Sequence, residues 1–205
     1  MLLPKYKKSV SGFKTTTSKK QELRKKLLAV RNNTLASYRT KTDREIILTL
    51  SGLPEYKAAD IIFCFVGVRN EIDTMPFINM AIQSGKRVCA PRCIDGETME
   101  AYEVTELNDL EYGMYRLLEP KSHCKRIDPA DISLAVIPCL ACDTTGHRIG
   151  YGGGYYDKYM AGRAFCKAVL CREQAIIDRA PVESFDVTVD IVITEKHIYR
   201  TGIGL

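Results

Sequence analysis

The chain reads Ser133-Leu134-Ala135-Val136-Ile137-Pro138 and, ten residues on, Arg148-Ile149-Gly150-Tyr151-Gly152-Gly153-Gly154-Tyr155-Tyr156-Asp157. The first run is short, apolar and stopped by proline, as a buried strand is. The second is a glycine-rich loop that opens a helix at Tyr155. A strand that feeds such a loop and then a helix is the repeating step of an α/β fold, in which ligands collect at the carboxyl ends of the strands. Four glycines in five positions let backbone N–H groups approach a ligand, and amides ahead of a helix N-terminus form an anion site. Glycines alone serve tight turning equally well. Arg148, a planar donor suited to phosphate, and Asp157, a carboxylate suited to a divalent cation, tilt the reading toward phosphate and metal. The spacing is not that of two familiar nucleotide loops. A dinucleotide fingerprint starting at Gly150 needs glycine where Tyr155 stands, and no Gly-x4-Gly-Lys-Ser/Thr occurs.

Working outward, the same alternation recurs. Apolar runs at 61–66, 86–90, 167–170 and 190–194, and an alternating stretch at 99–104, predict further strands. Helices are predicted between them. Ser18-Lys19-Lys20-Gln21 and Thr42-Asp43-Arg44-Glu45 each have the capping-box pattern. The first predicts a helix burying Leu23, Leu27 and Val30. The second predicts one burying Ile46, Ile47 and Leu50, ended by Gly52 and Pro54. Thr74 is expected to cap a helix with Pro76 in its first turn and Gly85 after it. Residues 105–131 are polar and irregular. The expected architecture is a single α/β domain over residues 18–205. It has a mostly parallel sheet with helices on both faces, and the glycine-rich loop lies at a strand's carboxyl end. Residues 1–17 are expected to form a basic flexible arm.

Composition narrows the function classes. Of 205 residues, 45% are hydrophobic and 27% charged, as in soluble globular proteins, and no apolar run approaches a membrane span. Eight cysteines in a chain whose start lacks an apolar signal core suit reduced thiols and a cytoplasmic setting. Cys139-x-x-Cys142 lacks the second close pair of a zinc site and reads as packed thiols. The net charge of +5 gathers early: nine Lys and Arg residues between Lys5 and Lys26 face one acid, Glu22. That cluster suits a polyanion such as ATP, a polyglutamylated substrate or RNA.

Several segments together resemble the 5-formyltetrahydrofolate cyclo-ligase family. They are Lys20-x-x-x-Arg24, Asn70-Glu71-Ile72-Asp73-Thr74, and Ile137 to Asp143 followed by Gly146-x-Arg148-Ile149-Gly150-x-Gly152-x-Gly154-Tyr155-Tyr156-Asp157. Glu173-Gln174 and Asp186-Val187-x-Val189-Asp190 complete the set. The resemblance spans roughly residues 18–195. It implies an ATP- and Mg2+-dependent ligase that cyclises 5-formyltetrahydrofolate to 5,10-methenyltetrahydrofolate. It implies that Lys20, Arg24, Arg148, Ile149, Gly150, Tyr151, Gly152, Gly153, Gly154, Tyr155 and Tyr156 bind ATP, with Arg148 and Lys20 catalytic. Val66, Glu71, Tyr151, Gly152, Gly153, Gly154 and Tyr155 would bind the folate, Glu71 through the pterin. Asp157 and Asp186 would hold Mg2+, with Asp190 close enough in sequence to compete for the second place. The chain departs from the family at Cys139 and Cys142, where Gly and Phe are usual, and at Tyr151 and Gly153, where basic residues often stand. Expected partners are the two small substrates, with no membrane and no nucleic acid, and a monomer is favoured. The competing readings are a non-catalytic folate- or nucleotide-binding relative and an RNA-associated protein using the basic N-terminus.

Overall fold

A computed structural model describes residues 15–202. Thr15 caps α1 (Thr16–Asn32) by accepting from Ser18 N. It is followed by α2 (Ala36–Gly52), α3 (Pro54–Ala58), β1 (Ile61–Cys64), α4 (Met75–Gln83), β2 (Arg87–Cys93) and β3 (Met99–Val104). The polar stretch after β3 holds β4 (Leu110–Tyr112), β5 (Leu118–Pro120) and β6 (Arg126–Ile127). Then come β7 (Leu134–Ile137), β8 (Ala141–Cys142), β9 (Arg148–Ile149), α5 (Tyr155–Met160), β10 (Cys166–Leu170), β11 (Ile191–Ile193) and β12 (Ile198–Arg200).

Eight strands form the main sheet in the order β12-β11-β10-β7-β1-β2-β3-β6. The run β11-β10-β7-β1-β2 is parallel, and β12, β3 and β6 are antiparallel to their neighbours. Every residue of β1 and β7 is buried, as strands covered on both faces require. One face packs Ile62, Val88, Val136 and Ala168 under Ile46, Leu50, Phe77 and Ile78 of α2 and α4. The other packs Phe63, Ala135 and Ile137 under Tyr159 and Met160 of α5. The chain leaves β1 toward β2 on one side and returns to β7 on the other. The carboxyl ends of β1 and β7 therefore form the crevice where such sheets bind ligands. Among the described residues, no helix is long and apolar enough to cross a membrane.

Four expectations need correction. The capping box at Ser18 is not the start of α1, because Thr15 caps it three residues earlier. Of the expected arm, residues 1–14 lie outside the described residues, and Thr16 and Thr17 are helical. The box at Thr42 is not a helix start either. α2 begins six residues before it, and Thr42 Oγ1 bonds back to Tyr38 O (2.9 Å) and Arg39 O (3.1 Å). A hydroxyl that reaches the preceding turn is satisfied inside a helix, so the pattern carries no end signal there. Finally, Val30 is exposed, and the residue of α1 that is buried is Lys20.

Asp43 is inward because it meets Arg172 at the end of β10. Arg172 Nε donates to Asp43 Oδ1 (2.8 Å) and Nη2 to Oδ2 (2.9 Å), with both residues buried. The same guanidinium donates to Asn70 O (3.0 Å) and Glu71 O (2.9 Å), and Asp43 Oδ2 also accepts from Asp73 N (3.1 Å). Burial pushes the Asp43 carboxyl up, and the Asp73 amide and the guanidinium work against it. The pair thus ties α2, the loop after β1 and the end of β10 together. That loop is closed from within by Thr74, whose Oγ1 accepts from Gly67 N (3.0 Å) and donates to Phe65 O (2.7 Å). Gly67 has no substitute, since a Cβ there would lie 2.0 Å from Ile72 O. Removing one member of a buried ion pair leaves the other charge uncompensated, typically at about 3–5 kcal/mol. Asp43→Ala is expected to lower unfolding free energy by about that amount, measured as a shifted urea midpoint with an unchanged m value.

Candidate active site

Helix α1 crosses the carboxyl end of the sheet and turns one stripe inward. Lys20, Leu23, Arg24, Leu27, Leu28 and Arg31 follow the spacing of one helical face, and all are at least partly buried. The leucines pack on Leu140, Ala141, Ile149 and Ala180 around the β8–β9 hairpin. The cations between them are therefore delivered to the site by the apolar contact that docks the helix.

At the first end of the stripe, Lys20 Nζ pairs with Asp186 Oδ2 and Glu183 Oε2, the latter at 2.8 Å. One turn on, Arg24 Nε donates to Gly150 O (2.9 Å), and its guanidinium lies beside Gly152. Gly152 has φ +108°, a conformation that residues with a Cβ avoid, so glycine is required where the loop passes Arg24. Arg148 leads into the loop from β9 and is buried. Its Nη2 lies 2.9 Å from Asp157 Oδ1, and its plane sits 5.8 Å from the Tyr156 ring. Nε of Arg148 has no hydrogen-bond partner among the described residues, and Nη2 has the ionic contact with Asp157 but no well-aligned hydrogen bond. Buried guanidinium nitrogens without acceptors are costly, and an anion over the loop supplies what they lack. Asp157 Oδ1 also accepts from Val187 N (3.1 Å), which brings the backbone next to Asp186 against the loop. Two carboxylates beside amides and cations are the donor set of a Mg2+ held with phosphate oxygens.

The other end of the stripe borders a shallow cleft that opens to solvent. Leu27, Arg31, Phe65, Glu71, Leu140 and Arg172 are among its walls. Glu71 Oε2 accepts from Val68 N (2.9 Å), and Glu71 Oε1 lies 3.8 Å from Arg31 Nη1. Arg31 also bonds the Tyr151 hydroxyl, with its guanidinium 5.1 Å from that ring. Burial, reinforced by the Glu71 carboxylate, pushes the Tyr151 phenol up, so it stays a neutral donor. Arg31 Nε is buried without a partner among the described residues. Tyr151 thus joins the loop to the cleft.

The structure gathers Lys20, Arg24, Arg148, Gly150, Gly152, Asp157 and Asp186 at one place and Glu71 with Tyr151 at the next. Other expected residues sit differently. Val66 is packed in the core beneath α2 and α4, and its neighbour Phe65 lines the cleft. Ile149 is buried against α1 leucines. Tyr155 turns toward Asp95 O and the Tyr115 hydroxyl, each 3.4 Å away. Tyr156 backs Arg148 with its ring. Asp190 accepts from Lys167 N (2.7 Å) at the amino end of β10, across the sheet from the loop. Sequence reasoning missed Arg31, Arg172 and Glu183. Arg31 could have been found, since it lies seven residues after Arg24 on the same helical face. Arg172 and Glu183 follow no periodic pattern. Cys139 and Cys171 border the cleft, and burial pushes the Cys142 thiol up, as befits packed, unreactive thiols.

The β8–β9 hairpin that presents Arg148 is closed by Asp143. Its Oδ1 accepts from Thr145 N (3.0 Å), Thr145 Oγ1 (2.7 Å) and His147 N (3.0 Å), and its Oδ2 from Ala180 N (2.9 Å). Gly146 completes this turn at φ +88°.

The sequence profile of the 5-formyltetrahydrofolate cyclo-ligase family matches residues 16–195. A probable 5-formyltetrahydrofolate cyclo-ligase of Schizosaccharomyces pombe is 28% identical over 165 residues, 72% of this chain and 81% of its own length. The 5-formyltetrahydrofolate cyclo-ligase of Escherichia coli is 25% identical over 156 residues, 72% of this chain and 84% of its own. The solution structure of Aquifex aeolicus 5,10-methenyltetrahydrofolate synthetase superposes with a TM-score of 0.82 at 28% identity, covering 91% of this chain and 94% of that one.

Burial alone would raise the Asp143 carboxyl, but the bonds from Ala180, Thr145 and His147 outweigh it and hold the group below the ordinary range. A depressed carboxyl contributes stability that is complete above its unfolded pKa of about 3.9 and is lost as pH falls through the folded value. Asp143→Asn is therefore expected to be less stable than the parent at pH 7. The gap should narrow progressively below about pH 4, in unfolding curves taken across pH.

Proposed function

The chain belongs to the 5-formyltetrahydrofolate cyclo-ligase family, and from that premise we propose that it converts 5-formyltetrahydrofolate to 5,10-methenyltetrahydrofolate with ATP, releasing ADP and phosphate. The observation that carries this reading is the buried Arg148 guanidinium at the entrance of the glycine loop, whose Nε has no hydrogen-bond partner among the described residues and whose Nη2 meets only the Asp157 carboxylate. Its Nη1 lies beside Gly150, whose carbonyl accepts from Arg24, and Lys20 stands one helical turn before Arg24. The ATP phosphates belong over residues 150–154, between Lys20, Arg24 and Arg148. The folate belongs in the neighbouring cleft, with its pterin N–H donors on Glu71 and its formyl group directed toward the loop past Tyr151. Eight free cysteines favour a reducing compartment such as the cytoplasm.

The chemistry needs charge neutralisation and alignment more than a covalent partner. The formamide oxygen on N5 attacks the γ-phosphorus, and the bond to the ADP oxygen breaks. The oxygen now leaves as phosphate, so N10 adds to the formyl carbon, the C–O bond breaks and N10 loses its proton. Arg148 neutralises charge that develops on the transferred phosphoryl oxygens. Lys20 and Arg24 hold the remaining phosphates in line. Asp157 and Asp186 would hold Mg2+, whose charge would offset that of the triphosphate. In the structure these carboxylates pair with Arg148 and Lys20. ATP and metal together thus exchange ion pairs for equivalent ones and leave no charge stranded. Arg31 and Glu71 orient the folate in the cleft.

The test is the growth of methenyltetrahydrofolate absorbance with purified protein, and it should require 5-formyltetrahydrofolate, ATP and Mg2+ together. Losing a well-placed charge donor costs about 3–4 kcal/mol of barrier, so Arg148→Ala is expected to lower kcat by about 10²–10³ while its unfolding curve stays cooperative. A variant with near-normal turnover would remove Arg148 from the reaction. Arg31→Ala should separate the two ends of the site, raising KM for the folate several-fold and leaving KM for ATP nearly unchanged. Equal increases in both constants would contradict the division.

A further inference from the structure

The polar excursion from 105 to 124 brings three metal-ligating side chains of different kinds to one point, away from the loop and the cleft. Asp109 ends a 3-10 turn (Leu107–Asp109), and His123 and Cys124 follow β5. One ligand atom from each lies within 4.8 Å of the other two. In a tetrahedral zinc site, bonds of 2.0–2.3 Å place donors roughly 3.3–3.8 Å apart, so small side-chain rotations close the set.

The arrangement is built rather than incidental. Asp109 is buried, and its Oδ2 accepts from Thr105 N (2.8 Å), Thr105 Oγ1 (2.7 Å) and Glu106 N (3.2 Å). Those bonds fix the carboxylate and leave Oδ1 to face His123 Nε2 at 3.1 Å. A ligating carboxylate held by outer hydrogen bonds is the usual support of a metal centre. The backbone positions the other two ligands. Lys121 N donates to Asp109 O (2.8 Å), and Cys124 N donates to Lys121 O (3.0 Å). This turn sets half-buried Cys124 with its Sγ 3.9 Å from Asp109 O. Arg92, the nearby cation, is committed to Pro120 O, Lys121 O and the Tyr102 ring. The exposed His123 ring leaves the fourth position to solvent.

We propose that Asp109, His123 and Cys124 bind one borderline-soft divalent transition metal, with Zn2+ the natural occupant. A thiolate, an imidazole and a carboxylate together select this class over Mg2+ or Ca2+, which take oxygen donors. The ion clips the turn at 121–124 to the 3-10 turn and closes the β4–β5 excursion at its base. None of the three ligands is among the residues placed at the glycine loop or lining the cleft, so the ion has no part in the phosphoryl step.

The experiment uses the full chain, stripped with chelator and titrated with Co2+ as a spectroscopic stand-in. One equivalent should produce a sulfur-to-cobalt charge-transfer band, and Zn2+ should displace it. Cys124→Ser should abolish the band with cyclo-ligase turnover unchanged. His123→Gln, at an exposed position that the fold does not need, should weaken Co2+ binding about tenfold or more. A parent protein with no such band would overturn the site. So would a band that persists in Cys124→Ser, which would assign the metal to other thiols, or His123→Gln binding as tightly as the parent.

Discussion

The buried bidentate pair between Asp43 and Arg172 is the contact on which the site's shape depends. It joins α2 on one face of the sheet to the end of β10, and the same guanidinium holds the carbonyls of Asn70 and Glu71. A loop leaving a strand is ordinarily the most mobile part of an α/β sheet. Here its backbone is bonded to an ion pair shielded from water, where the interaction is screened little. Glu71 therefore faces the cleft from a fixed position, and Arg172 itself is one of the cleft walls.

Helix α1 supplies the other half. It has few apolar residues for its length, because cations occupy inward positions that a purely structural helix would fill with leucine. Leu23, Leu27 and Leu28 dock it on the β8–β9 hairpin, and that docking aligns Lys20 and Arg24 with the glycine loop and Arg31 with the cleft. One helix thus serves both parts of the candidate site. The hairpin beneath it presents the buried Arg148, which pairs with Asp157 and keeps its Nε without a partner among the described residues. The glycine loop and the cleft meet at Tyr151, which belongs to the loop and bonds to Arg31.

Much of this was legible in the sequence. The apolar runs of β1, β2, β7, β10 and β11 stand out because buried parallel strands are nearly continuous in hydrophobicity, and the antiparallel β3 stands out by its alternation. The glycine loop declares itself because few other residues permit its backbone. The starts of α1 and α2 were misread for one reason: a capping pattern is a local signal, and Thr42 and Asp43 serve other purposes inside a helix. β12 and the β4–β5 pair escaped because short edge strands carry no distinctive period. Arg172 could not be assigned a role, since its partner lies 129 residues away and nothing local marks the pair. Asp186 and Asp190 look equivalent in sequence. The sheet separates them, since one precedes the strand-end crevice and the other sits at the strands' amino ends.

The central claim is that the formyl oxygen of the folate in the cleft attacks the γ-phosphate of ATP on the loop. The direct test is a turnover with 5-formyltetrahydrofolate labelled with 18O in the formyl group, followed by 31P NMR of the released phosphate. The account predicts that one 18O per turnover appears in inorganic phosphate and none in ADP. Phosphate free of label while methenyltetrahydrofolate forms would contradict it, because the oxygen would then have left without being phosphorylated.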